Sequence, residues 1–125
     1  MATDFLHAST SIPDDATGYY LAYPTTSTLK PTYRGHKTLV NHEHTKVGVA
    51  TKSFLSRKKE YLNTFHREVA FVPLVIVPPD ALSSLEVRVL AEMYQRYPRS
   101  GSAREWFRTT DRQVIAEIVW KLSGA

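Results

Sequence analysis

The run Val69-Ala70-Phe71-Val72-Pro73-Leu74-Val75-Ile76-Val77 constrains this chain more than any other segment. It is apolar on both faces and stops at Pro78-Pro79, which reads as a strand of a covered sheet. Pro73 has no amide proton to give to a ladder, so the strand is expected to be bulged or exposed at that point. The run is also the longest apolar stretch, and it falls far short of the roughly 20 residues a membrane-spanning helix needs. Residues 1–15 carry Asp4, Asp14 and Asp15 but neither a basic nor an apolar targeting region, so a cytoplasmic protein is expected.

The other elements follow from periodicity and punctuation. Gly18-Tyr19-Tyr20-Leu21-Ala22-Tyr23 is an aromatic-rich strand that ends at Pro24. Residues 45–50 form a second, in which Val47 and Val49 alternate with Lys46 and Gly48. The polar loop at 25–44 between them is long for a hairpin, and loops of that kind are usually functional or disordered. Ser53 caps a helix whose inward stripe is expected to be Phe54, Leu55, Lys58, Tyr61 and Leu62, with Arg57 at its border. A longer helix opens at Asp80 and runs to about Tyr94, burying Leu82, Leu85, Val89 and Met93, with Leu90 at the edge. After a turn at 98–102 comes Arg104-Glu105-Trp106-Phe107, then a helix over 111–122 packing Val114, Ile115, Ile118, Val119 and Leu122. The expected order is β-β-α-β-α-α, an α+β chain with a flexible leader at 1–16 and one domain at 17–125.

Composition narrows the chemistry. The 125 residues suffice for one domain, and the absence of cysteine removes disulfides, thiolate zinc sites, iron–sulfur clusters and thiol nucleophiles. Sixteen Lys+Arg against 12 Asp+Glu leave a net charge of +4, which suits a polyanionic partner without proving one. His36, His42, His44 and Glu43 superficially resemble a metal cluster, but no second ligand set has matching spacing.

Two constellations stand out. Gly18-Tyr19-Tyr20, Lys46-Val47-Gly48 and Arg57 form the first; Glu86 and the trailing Glu105-Trp106-Phe107 form the second. In this order the chain resembles the GIY-YIG nuclease superfamily over about residues 17–107. The closest likeness is to a phage-type subgroup whose second motif reads Lys-Ile-Gly and whose domain closes on Glu-Trp-Phe. The resemblance implies an α/β sandwich with a small three-stranded, largely antiparallel sheet flanked by helices. It implies hydrolysis of DNA phosphodiesters with one divalent ion, Mg2+ or Mn2+, in a protein of phage, mobile-element or defence origin. Tyr20 then stands beside the attacking water, Arg57 contacts the phosphate, and Glu86 binds the metal. Gly48 lets the chain turn closely past the site, and Gly18 is the glycine that opens the first motif. Lys46 replaces the usual second-motif tyrosine.

The residue chemistry is compatible with that implication. Arginine offers a planar cationic fork, a carboxylate is a hard-metal ligand, and a tyrosine beside cations can orient or deprotonate water. His44, at the base of the loop, is a candidate auxiliary base. Lys52, Lys58, Lys59 and Arg67 are candidate phosphate contacts. Each residue has a plainer reading. The tyrosines can be strand aromatics on a helix, Glu86 a surface carboxylate, the basic run a solvated helix face, and Trp106 and Phe107 core. The two functional readings are a metal-dependent endonuclease and an inactive binding or interaction module on the same fold. A domain this small is expected to need a homodimer or a separate partner to choose its DNA targets.

Overall fold

The computed structural model describes residues 4–25, 42–65, 68–100 and 103–124. The chain is α+β. Its strands are β1 (Gly18–Pro24), β2 (His44–Ala50), β3 (Val69–Ile76), β4 (Arg99–Ser100) and β5 (Ala103–Arg108). Its helices are α1 (Phe5–Ser9), α2 (Phe54–Phe65), α3 (Pro79–Arg96) and α4 (Arg112–Ser123). All strand pairs are antiparallel and the sheet runs β3-β1-β2-β5-β4. β1, β2 and β3 are the three strands expected. The sheet is wider by two, because residues 103–108 pair with β2 through His44↔Arg108, Thr45↔Phe107 and Lys46↔Trp106. Strand alternation sends Trp106 and Phe107 to opposite faces, where each fills a different core. Most of the loop expected at 25–44, including His36, lies outside the described residues, as does Arg67.

The same alternation divides β1. Tyr19 and Leu21 join Val47, Leu74 and Phe107 in a large core closed by Leu82, Leu85, Val89 and Met93 of α3 and by Ile115, Ala116 and Val119 of α4. Tyr20 and Ala22 face the other way, into a smaller cluster with Ala50, Trp106, and Phe54 and Tyr61 of α2. The register between β1 and β3 slips by one residue, since Tyr19 pairs with Val75 but Tyr20 pairs with Pro73. Leu74 is therefore the extra residue of a bulge, next to the proline and on an edge strand, as the sequence led one to expect. Its carbonyl accepts a 2.7 Å hydrogen bond from the indole of Trp120, which ties α4 to the bulge.

Several elements differ from expectation in ways that packing explains. Residues 4–16 are docked rather than loose. Asp4 caps α1 by accepting from the amides of Leu6 and His7, Phe5 is buried, and its amide donates to Gln113 Oε1 at 2.8 Å. The N-cap of α3 is Pro78 with Pro79 following, and Asp80 falls in the first turn, where its charge favours the helix dipole. Val114 of α4 is exposed and Ala116 takes an inward place, because a small side chain allows close approach to the sheet. Among the described residues no helix is long and apolar enough to cross a membrane.

Candidate functional site

On the Tyr20 face, α2 does not seal the sheet completely. A cleft of about 110 Å³ remains, lined by Tyr20, Lys46, Arg57, Glu60, Tyr61, Thr64 and Trp106. These residues come from β1, β2, α2 and β5. The structure thus brings together Tyr20, Lys46 and Arg57, three of the candidate residues the sequence singled out.

Glycine makes the cleft floor. Gly48 pairs with Tyr20 across the strands, and a Cβ at Gly48 would sit 2.7 Å from the Tyr20 hydroxyl and 2.9 Å from Cζ. Any side chain there would push the phenol out of place. Gly18 is required for the frame: its Cβ would meet the Val75 carbonyl oxygen at 2.0 Å and the Phe54 ring at 2.6 Å. The Tyr20 ring is further fixed by stacking on Phe71, with centroids 4.5 Å apart, and by an edge contact with Tyr61 at 5.7 Å.

The hydroxyls of Tyr20 and Tyr61 share a 2.9 Å hydrogen bond in which either can donate. Lys46 Nζ lies 5.2 Å from the Tyr61 ring centroid and 5.9 Å from that of Trp106, so two aromatic faces hold the ammonium at the cleft. Arg57 Nη1 donates to Glu60 Oε2 at 2.6 Å, and the Arg57 side chain is 34% exposed. Burial works against its charge, but the attraction of Tyr20 and Glu60, the bond to Glu60 and the pull of Tyr61 outweigh it. Its pKa therefore stands above the ordinary guanidinium value, and Arg57 is a permanent cation facing two phenols.

The helix stripe is rotated from the expected one. Leu55 and Leu62 are exposed, at 39% and 42%, while Phe54 and Tyr61 are buried and Arg57 is half-buried. Arg57, Glu60, Tyr61 and Thr64 follow at i, i+3, i+4 and i+7, one side of a helix. Glu60, Tyr61 and Thr64 are cleft residues the sequence reading did not single out. Stepping one and two helical turns onward from Arg57 would have found them.

Other candidates fall elsewhere. Lys52, with Thr51, Ser53 and Ser56, lines an adjoining pocket that shares Arg57 and Glu60 with the first. Lys58 and Lys59 are exposed on α2 and line neither pocket. His44 is buried at the start of β2 and pairs with Arg108; it is not among the cleft residues. Its carbonyl and that of His42 accept from Arg112 Nη2 at 3.2 and 2.7 Å, so this corner is held by a structural arginine that also rests on the Tyr23 ring. Phe107 is fully buried core, and the Glu105 side chain lies outside the described residues.

Glu86 is half-buried on α3, the helix that covers the Tyr19 face, and it is not among the residues lining the Tyr20 cleft. The carboxylate that lines the cleft is Glu60, already ion-paired with Arg57. Among the described residues no three His, Asp or Glu side chains come together as a metal-binding group. The cleft residues by themselves do not fit a divalent-ion site. Comparison with known proteins adds no relative: no family model matches the chain, and no curated protein or solved structure is significantly similar to it.

Proposed function

We propose that the protein hydrolyses phosphodiester bonds in DNA at the Tyr20 cleft, as a GIY-YIG-type endonuclease. One observation supports this above the others: Tyr20, Lys46 and Arg57, from three separate elements, line one cleft with the hydroxyl-paired Tyr61. Two cations, Lys46 from β2 and Arg57 from α2, offer charge to the non-bridging oxygens of a phosphate, and that charge counts most as negative charge builds in the transition state. The Tyr20–Tyr61 hydroxyl pair can accept a hydrogen bond from an attacking water and orient it, while the proton that water loses passes to bulk solvent. Glu60 keeps the guanidinium of Arg57 directed along the helix until a phosphate competes for it.

The test is nicking of supercoiled plasmid in magnesium or manganese buffer. The expected result is cutting by the wild type and a loss of about 100-fold or more in Arg57→Ala, the scale of removing one preorganised charge or donor. Equal cutting by Arg57→Ala overturns the reading. A second reading, a binding module on the same fold, is favoured by Glu86 lying outside the cleft. It calls for salt-sensitive DNA binding with no cutting in either metal, and the same assay separates the two.

A further inference from the structure

We propose that the pocket around Lys52 is a second anion subsite, which takes a neighbouring phosphate of the same nucleic-acid strand. The inference rests on the proposed function for the identity of the first site. The pocket is about 180 Å³ and is lined by Thr51, Lys52, Ser53, Ser56, Arg57 and Glu60. Arg57 and Glu60 line the Tyr20 cleft as well, so the two hollows adjoin at this pair. Together they follow one side of α2, through Ser53, Ser56, Arg57, Glu60, Tyr61 and Thr64, over roughly 16 Å at the helical rise. That is a track for an extended ligand rather than a seat for one compact anion.

The charges are spaced along it. Lys46 stands in the cleft, Arg57 in the middle and Lys52 in the second pocket, with Glu60 as the single opposing charge among the lining residues. A chain that carries a negative charge at every link suits a row of three cations. The start of α2 itself contributes nothing to an anion. The amides of Phe54, Leu55 and Ser56 are bonded to the Ala16 carbonyl, the Asp14 carbonyl and Ser53 Oγ. Side chains are what the subsite offers: the Lys52 ammonium and the hydroxyls of Thr51 and Ser56.

Lys52 is exposed, so its removal leaves the fold intact. Binding of a labelled single-stranded oligothymidylate is measured by fluorescence anisotropy over a range of salt concentrations, and thymidine monophosphate is tested as a competitor. For Lys52→Ala the slope of log K against log salt falls by about 0.7, the value of one lost phosphate contact on a single strand. Thymidine monophosphate, which needs only the Tyr20 cleft, competes at Lys52→Ala as it does at the wild type. An unchanged slope in Lys52→Ala overturns the subsite and leaves the proposed function standing. Equal weakening of both ligands also overturns it, because Lys52 would then be serving the first site. A wild type that nicks plasmid but does not bind the oligonucleotide overturns the subsite, and a wild type that neither binds nor nicks overturns the proposed function itself.

Discussion

The two faces of the sheet are built from alternate residues of the same strands, yet they are finished differently. Behind Tyr19 and Leu21, α3 and α4 close a continuous apolar core in which Leu82, Leu85, Val89 and Met93 are each at most 2% exposed. Behind Tyr20 and Lys46 the covering helix is α2, helped by Ile12 and Ala16; it brings two aromatic anchors, Phe54 and Tyr61, and lines the rest with Arg57, Glu60 and Thr64. The first face is sealed as apolar core, and the second keeps an open cleft lined by polar and charged side chains. One strand can serve both because its side-chain period is two, so a change at Tyr19 and a change at Tyr20 act on different layers.

The comparison breaks most visibly on the apolar side. Leu85→Ala should cost about 2–5 kcal/mol in unfolding free energy, measured by urea denaturation, because it leaves a cavity between α3 and the sheet. Oligonucleotide binding by the still-folded fraction should be unchanged. A lost binding site would show that the two layers are coupled through the sheet. Gly48→Ala should act the other way. Displacing the Tyr20 phenol should cost about 1–3 kcal/mol of stability, the usual range for overpacking, and should also remove plasmid nicking. Nicking at the wild-type rate would show that the Tyr20 hydroxyl is not where the chemistry occurs.

A finer separation comes from Tyr61→Phe, which deletes one hydroxyl and keeps the ring that Lys46 faces. The expected stability loss is about 0.5–1.5 kcal/mol, with nicking reduced far more than DNA affinity. Equal loss of both would make Tyr61 a binding group only. The smallest effect concerns pH. Partial burial and the neighbouring carboxylate of Asp111, with a hydrogen bond to it, raise the pKa of Tyr97 above the ordinary tyrosine value despite the opposing charge of Arg96. A folded pKa above the unfolded one adds stability that is complete below about pH 10 and fades as pH rises through the folded value. Unfolding free energy measured on both sides of that pH should fall less in Tyr97→Phe than in wild type. A matching fall would place the alkaline sensitivity elsewhere.

Much of the fold was legible because local rules agreed. Ser53 accepts from the Ser56 amide as the N-cap the sequence announced, and the stripe of α3 is the one its spacing predicted. Pro73 marked its bulge. The strand at residues 103–108 was not legible. Arg-Glu-Trp-Phe has no alternation of its own, and it becomes a strand because the open edge of β2 pairs with it. The site was half legible: Tyr20, Lys46 and Arg57 stand out as site candidates and Tyr61 only as an inward core residue, while nothing in the local pattern marks Glu60 and Thr64.

The sequence by itself determined the alternation of β1 and β2, the edge character of β3 and the two glycines without which the strands and phenol could not approach. Only the tertiary structure decided which stripe of α2 faces inward. Successive residues on a helix are about 100° apart, so Leu55 and Arg57 flank Phe54 on opposite sides, and local pattern favours turning the leucine side inward. The sheet face settled it by presenting the Tyr20 hydroxyl and the Lys46 ammonium. A half-buried, ion-paired Arg57–Glu60 couple suits a face that already holds these polar groups, whereas a leucine would add apolar surface beside them. The placement of α3 across the sheet was likewise a tertiary outcome. Its four-residue apolar stripe had to bury against the large Tyr19 core, and Glu86 went with it.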